Sequence, residues 1–173
     1  PIFNTKTFYI DDFPAPIAKG RNEIIYNEYK RDLPSFYQNI WWPDMIQAGR
    51  KYNIIYTGAM IESYNDNVTS PFEKMGSSDS YYLISFGREL IQNGGELGFH
   101  GYNHQSLTMN KEISESFGYN AWPSTEDMKL AIEELQHYAD KAFPAYKFSS
   151  YVPPSNVLSE EGRKVLKEAW PDL

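Results

Sequence analysis

Hydrophobic and polar positions along this chain switch between a two-residue and a helical period, and the switches mark out its elements. Thr5–Phe13 (TKTFYIDDF) is β-branched and aromatic and stops at Pro14 and Pro16, which predicts a strand ending in a loop. Asn53–Met60 (NIIYTGAM), Glu96–Phe99 and Lys147–Val152 predict three more strands, the last broken by Pro153-Pro154. Helical patterns lie between them. Ser35–Tyr52 is one, with Pro43 either kinking it or marking its true start. Ser80–Asn93 is closed by Gly94-Gly95. In Ser124–Phe143, Ser124 and Asp127 resemble a capping box, and Met128, Ala131, Ile132, Leu135, Tyr138 and Ala139 make an apolar stripe. Ser159–Trp170 is the last. Residues 17–34 are mixed and read as a short hairpin or flap around EIIYNEY, and residues 63–79 as a polar surface loop.

Strands alternating with helices imply βαβ units, hence a parallel sheet or part of a (β/α) barrel. In such folds chemistry collects at the carboxyl ends of the strands. The length of 173 residues suits one domain, 1–173, with a real core. The chain starts at Pro1 and stops after a helix and turn, so it reads as a fragment of a longer protein.

Charge narrows the partners. The net charge of −7 and the scatter of Lys and Arg argue against nucleic acid and anionic membrane surfaces. No apolar run approaches the roughly 18 residues of a membrane span. Cysteine is absent, which excludes disulfides and Cys-ligated zinc.

The strand ends carry the chemistry. The first ends in Asp11-Asp12, the second near Thr57-Gly58 with Glu62 beyond, the third in His100 followed by His104, and the fourth in Tyr151-Val152-Pro153-Pro154-Ser155-Asn156. On a continuing strand His100 and His104 would lie roughly 13 Å apart and could not share an ion. On a turn, i and i+4 bring Cβ atoms to about 5–6 Å, close enough for one metal. Gly101 and Asn103 favour the turn. Two histidines and a carboxylate suit a catalytic zinc or similar ion with open positions. Asp11 and Asp12 interrupt an aromatic strand, where paired like charges are costly unless an ion or partner compensates. Taken singly, an HxxxH and an acidic pair are each compatible with an ordinary loop.

YIDDF, HGYNH and YVPPSN, in that order on successive strand ends, resemble the motifs of the polysaccharide deacetylase superfamily (carbohydrate esterase family 4, the NodB-homology fold). The IDDFPAP and HGYNH forms are similar to an uncharacterised bacterial branch of it, a domain of unknown function. The resemblance implies an incomplete or distorted (β/α) barrel of alternating parallel strands and helices, truncated here at the C-terminus. It implies removal of acetyl groups from the amino sugars of an acetylated polysaccharide or oligosaccharide with a divalent metal, zinc first and cobalt, nickel or manganese as alternatives. By the same resemblance Asp11 is the general base, and Asp12, His100 and His104 are the metal ligands. Tyr151, Val152, Pro153 and Pro154 form one wall, and a backbone amide around Val152–Ser155 serves the oxyanion. An extracytoplasmic location, secreted or in the envelope, is implied as well.

Three departures stand out. Phe13 occupies the place of the family's usual Gly, and Tyr151 that of an Arg that orients the base. After Pro154 there is Asp172 but no histidine to act as general acid, and His137 reads as a solvent-facing helix residue. Tyr102 and Trp122 flank the histidine loop and are expected to line a sugar groove. Two other readings use the same residues: a non-catalytic glycan-binding or scaffold domain, and a glycosidase-like or other metallohydrolase using Asp11 and Glu62 as paired carboxylates.

Overall fold

The structure, a computed structural model, describes residues 7–14, 20–74 and 77–171, with no account of the side chains of 77–79. Thr5, Lys6, Pro16 and Asp172 lie outside the described residues. The sheet has three parallel strands, β1 (Phe8–Phe13), β2 (Tyr56–Ile61) and β3 (Glu96–Gly101), in the order β1-β2-β3. Every residue of β2 is buried, the mark of a central parallel strand covered on both faces.

The helices form where capping chemistry allows. Asn22 accepts from the Ile24 and Ile25 amides at 3.1 Å each, which starts α1 (Glu23–Tyr29). EIIYNEY is therefore a helix and not a hairpin or flap. Ahead of β2 run α2 (Leu33–Phe36), a π-turn (Tyr37–Trp41) and α3 (Trp42–Tyr52). The turn before Pro43 widens to π geometry, which accommodates a residue that has no N–H to donate. α4 (Ser77–Gln92) ends at Gly94, whose φ of +81° a side-chain-bearing residue would resist. α5 (Lys111–Ser116) is a helix the pattern did not suggest. α6 (Thr125–Ala142) is capped by Ser124 and buries the predicted stripe except Tyr138, which is half-buried. α7 (Glu160–Ala169) is capped by Ser159 and packs against α6.

The predicted fourth strand is not a strand. Residues 148–152 run beside β3 but form a single parallel bridge, Phe99 to Tyr151, with Phe99 N–H donating to Ser150 O and Val152 N–H to Phe99 O. Two causes limit the ladder. The Leu97 amide is already taken by the Tyr146 hydroxyl at 2.8 Å, and Pro153 and Pro154 bring no donors. The α/β class and the parallel strands hold, while the sheet is open among the described residues. Segment and sheet are instead joined by aromatic stacking. Phe99 lies between Phe148 and Trp170, with ring centroids at 4.3 and 4.4 Å.

Candidate metal centre

The strands that carry the acidic pair and the first histidine are both irregular where those residues sit. In the β1–β2 ladder Ile10 pairs Gly58 and Phe13 pairs Met60, so β1 holds one residue too many. The excess falls at Asp11-Asp12, and Asp12 has φ +51°, the left-handed region that Asp tolerates better than most residues. In the β2–β3 ladder Met60 pairs Phe99 and Ile61 pairs Gly101, which leaves His100 as the extra residue. Gly101 has φ +144°, and the strand ends there. Two bulges at the carboxyl end of the sheet thus re-aim Asp12 and His100.

Asp12, His100 and His104 converge, each offering one ligand atom, all within 4.8 Å of one another. Both histidine Nε2 atoms lie 3.6 Å from Asp12 Oδ1. The rings sit 5.0 Å apart at 58°. At 3.6 Å these atoms are too far apart to hydrogen-bond. Donors each about 2.0–2.2 Å from a common ion would be separated by roughly this much.

Burial supports the same use. His100 is almost wholly buried, and neither its Nε2 nor Asp12 Oδ1 has a hydrogen-bond partner among the described residues. Such atoms are costly to leave unsatisfied, and a cation would satisfy both. The chemistry of the donor set therefore fits a divalent ion. The opposite nitrogen of His100 is fixed: Nδ1 is 2.6 Å from Val152 O. A carbonyl only accepts, so Nδ1 carries the proton and Nε2 of the neutral ring keeps its lone pair. Burial lowers the His100 pKa against the opposing pulls of the Val152 bond and of Asp12. Burial thus favours the neutral ring, and the Val152 bond leaves its Nε2 facing Asp12.

Asp11 is exposed beside this cluster and close enough for its charge to act on His100. Tyr151, Val152 and Pro153 are half-buried and Pro154 buried along the neighbouring segment, which meets the site through the Val152 carbonyl. Tyr102 and Trp122 are not groove residues. Each is only 2% exposed, the first donating from its hydroxyl to Glu73 O, the second from Nε1 to Ser106 O. Phe72 packs on both rings. Glu62 is fully buried, so a carboxylate pair with Asp11 facing a substrate does not form. His137 is exposed on α6, as the pattern predicts.

One contact was not legible in the sequence. Tyr119 Oη lies 2.9 Å from His104 Nδ1 and 2.5 Å from Ser155 Oγ. With 14 tyrosines in the chain, one in a polar loop carries no signal of its own. Tyr64 also reaches the site, its hydroxyl donating to Asp12 O at 3.2 Å.

A sequence profile of the family described as "Uncharacterised protein conserved in bacteria (DUF2194)" matches residues 1–173. The chain belongs to that family. Comparison with curated protein sequences gives no significant match. Among solved structures, it is similar to a CE4 family pseudoenzyme from Bacillus anthracis, with a TM-score of 0.53 and 14% identity over 94% of this chain and 39% of that one. It is similar to the Xyl-CE4 domain of a multidomain xylanase from the hindgut metagenome of Trinervitermes trinervoides, at 0.52 and 14% over 91% of this chain and 52% of that one. A Mycobacterium smegmatis protein, provisionally named a polysaccharide deacetylase, matches at 0.56 and 14% over 94% of this chain and 47% of that one. The DUF2194 chain thus has the fold of the CE4 deacetylases and spans between 39% and 52% of the length of these structures. No helix among its described residues is long and apolar enough to cross a membrane.

Proposed function

We propose that this DUF2194 chain forms the metal-binding part of a deacetylase-like hydrolase, an incomplete (β/α) barrel that removes acetyl groups from amino sugars of an extracellular or envelope polysaccharide. The observation that carries this reading is the convergence of Asp12, His100 and His104, with Asp12 Oδ1 and His100 Nε2 buried and without hydrogen-bond partners among the described residues. Zinc suits one carboxylate and two imidazoles, and cobalt, nickel or manganese could replace it.

Asp12, His100 and His104 would hold the cation. When bound, it would polarise an acetyl carbonyl and acidify a water molecule. Asp11, exposed and adjacent, has no place in the ligand cluster and is free to take the proton of that water. In the segment assigned to the oxyanion, the Val152 amide is spent on Phe99 O, and Pro153 and Pro154 have none. The Ser155 N–H is the amide of that stretch left for the role.

A second reading, a glycan-binding or scaffold domain without catalysis, has specific support. The Bacillus anthracis structure with this fold is a pseudoenzyme, and Tyr151 stands where the family's Arg would orient the base. One experiment separates the two. Acetate release from acetylated chito-oligosaccharides by the zinc-loaded full-length protein, lost in Asp11→Asn, favours the hydrolase. Oligosaccharide binding without acetate release favours the scaffold.

A further inference from the structure

His104 differs from His100 in what holds its outer nitrogen. His100 Nδ1 meets a carbonyl, which can only accept, whereas His104 Nδ1 meets the Tyr119 hydroxyl, which can donate or accept. If Tyr119 donates to Nδ1, the proton of the neutral ring sits on Nε2, the atom facing Asp12, and that atom has no lone pair for a cation. If Tyr119 donates to Ser155 Oγ instead, its oxygen accepts from His104 Nδ1–H and Nε2 is left able to ligate. A phenol has one proton, so His104 Nε2 can ligate only where the Tyr119 hydroxyl donates to Ser155 Oγ and the serine hydroxyl does not donate back.

We infer that Ser155, acting through Tyr119, is a positioning residue: its Oγ accepts the hydrogen bond of the Tyr119 hydroxyl and so fixes His104 in the tautomer whose Nε2 can hold a divalent cation. The backbone at this point is itself unusual. Ser155 has φ +51° and ψ +23°, a left-handed conformation that costs a side-chain-bearing residue free energy and persists only where its surroundings impose it. Tyr119 follows α5 and Ser155 follows the proline pair, so the relay ties two loops to the histidine turn. Outer partners of metal-bound histidines act in this way, orienting the ring and choosing the ligating nitrogen.

The inference rests on the cation reading of Asp12, His100 and His104, and the test separates the two. Zn²⁺ is titrated calorimetrically into the chelator-stripped full-length protein and its variants. His104→Ala is expected to abolish binding. Tyr119→Phe and Ser155→Ala should each raise Kd about 10–100-fold, while Ser155→Asn, which keeps an acceptor and tolerates the left-handed backbone, stays within about threefold. Nitrogen-15 spectra of labelled histidine in the metal-free wild type should show His104 protonated at Nδ1, with Nε2–H growing in Ser155→Ala at an unchanged thermal midpoint. The spectrum of the unsubstituted protein decides the matter even if a variant misfolds. Wild-type Kd in both Tyr119→Phe and Ser155→Ala, with binding lost in His104→Ala, overturns the relay, as does Nε2–H in the wild type. Undiminished binding in His104→Ala overturns the cation reading and the relay with it.

Discussion

His100 donates from Nδ1 to the Val152 carbonyl at 2.6 Å, so the proline-rich segment holds the ring whose other nitrogen faces Asp12. Two motifs far apart in sequence therefore act as one unit. The prediction for the centre itself divides its carboxylates. His100→Ala, His104→Ala and Asp12→Asn should each leave the purified full-length protein without stoichiometric divalent metal by elemental analysis. Asp11→Asn should keep the metal and lose turnover by a factor of about 10²–10⁴, the usual worth of a general base. Metal lost as fully in Asp11→Asn as in Asp12→Asn would remove the distinction between base and ligand.

Much of this centre was legible because its residues are chemically conspicuous. An acidic pair inside an aromatic strand and two histidines four apart are costly or unusual unless they share a task. The bulges that aim Asp12 and His100 were not legible, since they appear only when the strands are paired and the ladder counts one residue too many. The lack of a fourth strand among the described residues is hidden in the sequence for a related reason. Lys147–Val152 has strand-like residues, yet a side chain, Tyr146, takes the amide that a ladder would need. Helix α5 is only six residues long, too short for its periodicity to stand out.

Tyr102 and Trp122 were expected at a sugar groove because aromatic rings near a site have two uses, stacking on ligand or filling a core. Burial decides for the core. Trp122→Ala should cost about 3–5 kcal/mol of unfolding free energy in a denaturant titration, the range for a large buried aromatic. A variant of wild-type stability with weakened oligosaccharide binding would return Trp122 to the groove.

The close approach of Ser150 to β3 makes Gly98 sensitive. A Cβ at this position would strike the Ser150 side chain and lie 3.0 Å from Ser150 O, the oxygen that accepts from Phe99 N–H. Gly98→Ala should therefore push residues 148–152 away from β3 and destabilise the protein by about 1–3 kcal/mol, as overpacking does. The displaced Val152 carbonyl should also weaken zinc binding by calorimetry. Destabilisation with unaltered zinc affinity would mean that His100 does not depend on this segment.

The start of α6 makes a pH-dependent contribution. The Asp127 carboxyl is held below its ordinary range by the Ser124 hydroxyl and then by the Ser70 amide, which pins the polar loop to the helix. A folded pKa below the unfolded one gives stability that is full above the unfolded value, about 3.9, and lost as pH falls through the folded value. Asp127→Asn should lower the thermal midpoint near neutral pH and narrow the gap from wild type in strong acid. A gap that stayed constant with pH would show that the charge contributes nothing.

Tyr151 presents the opposite case, a group whose removal should help. Its hydroxyl is buried without a hydrogen-bond partner among the described residues, and burial raises its pKa, so it stays a protonated phenol. Its ring neighbours Trp170 at 6.5 Å. An unsatisfied buried hydroxyl costs free energy that an apolar edge of the same shape does not. Tyr151→Phe is therefore expected to raise stability by about 1 kcal/mol and to leave the zinc affinity of the His100 site unchanged, because the Val152 carbonyl that orients the ring belongs to the backbone. A loss of stability or of acetate release would instead assign the hydroxyl a partner, and with it a share of the task that the family gives to an Arg at this position.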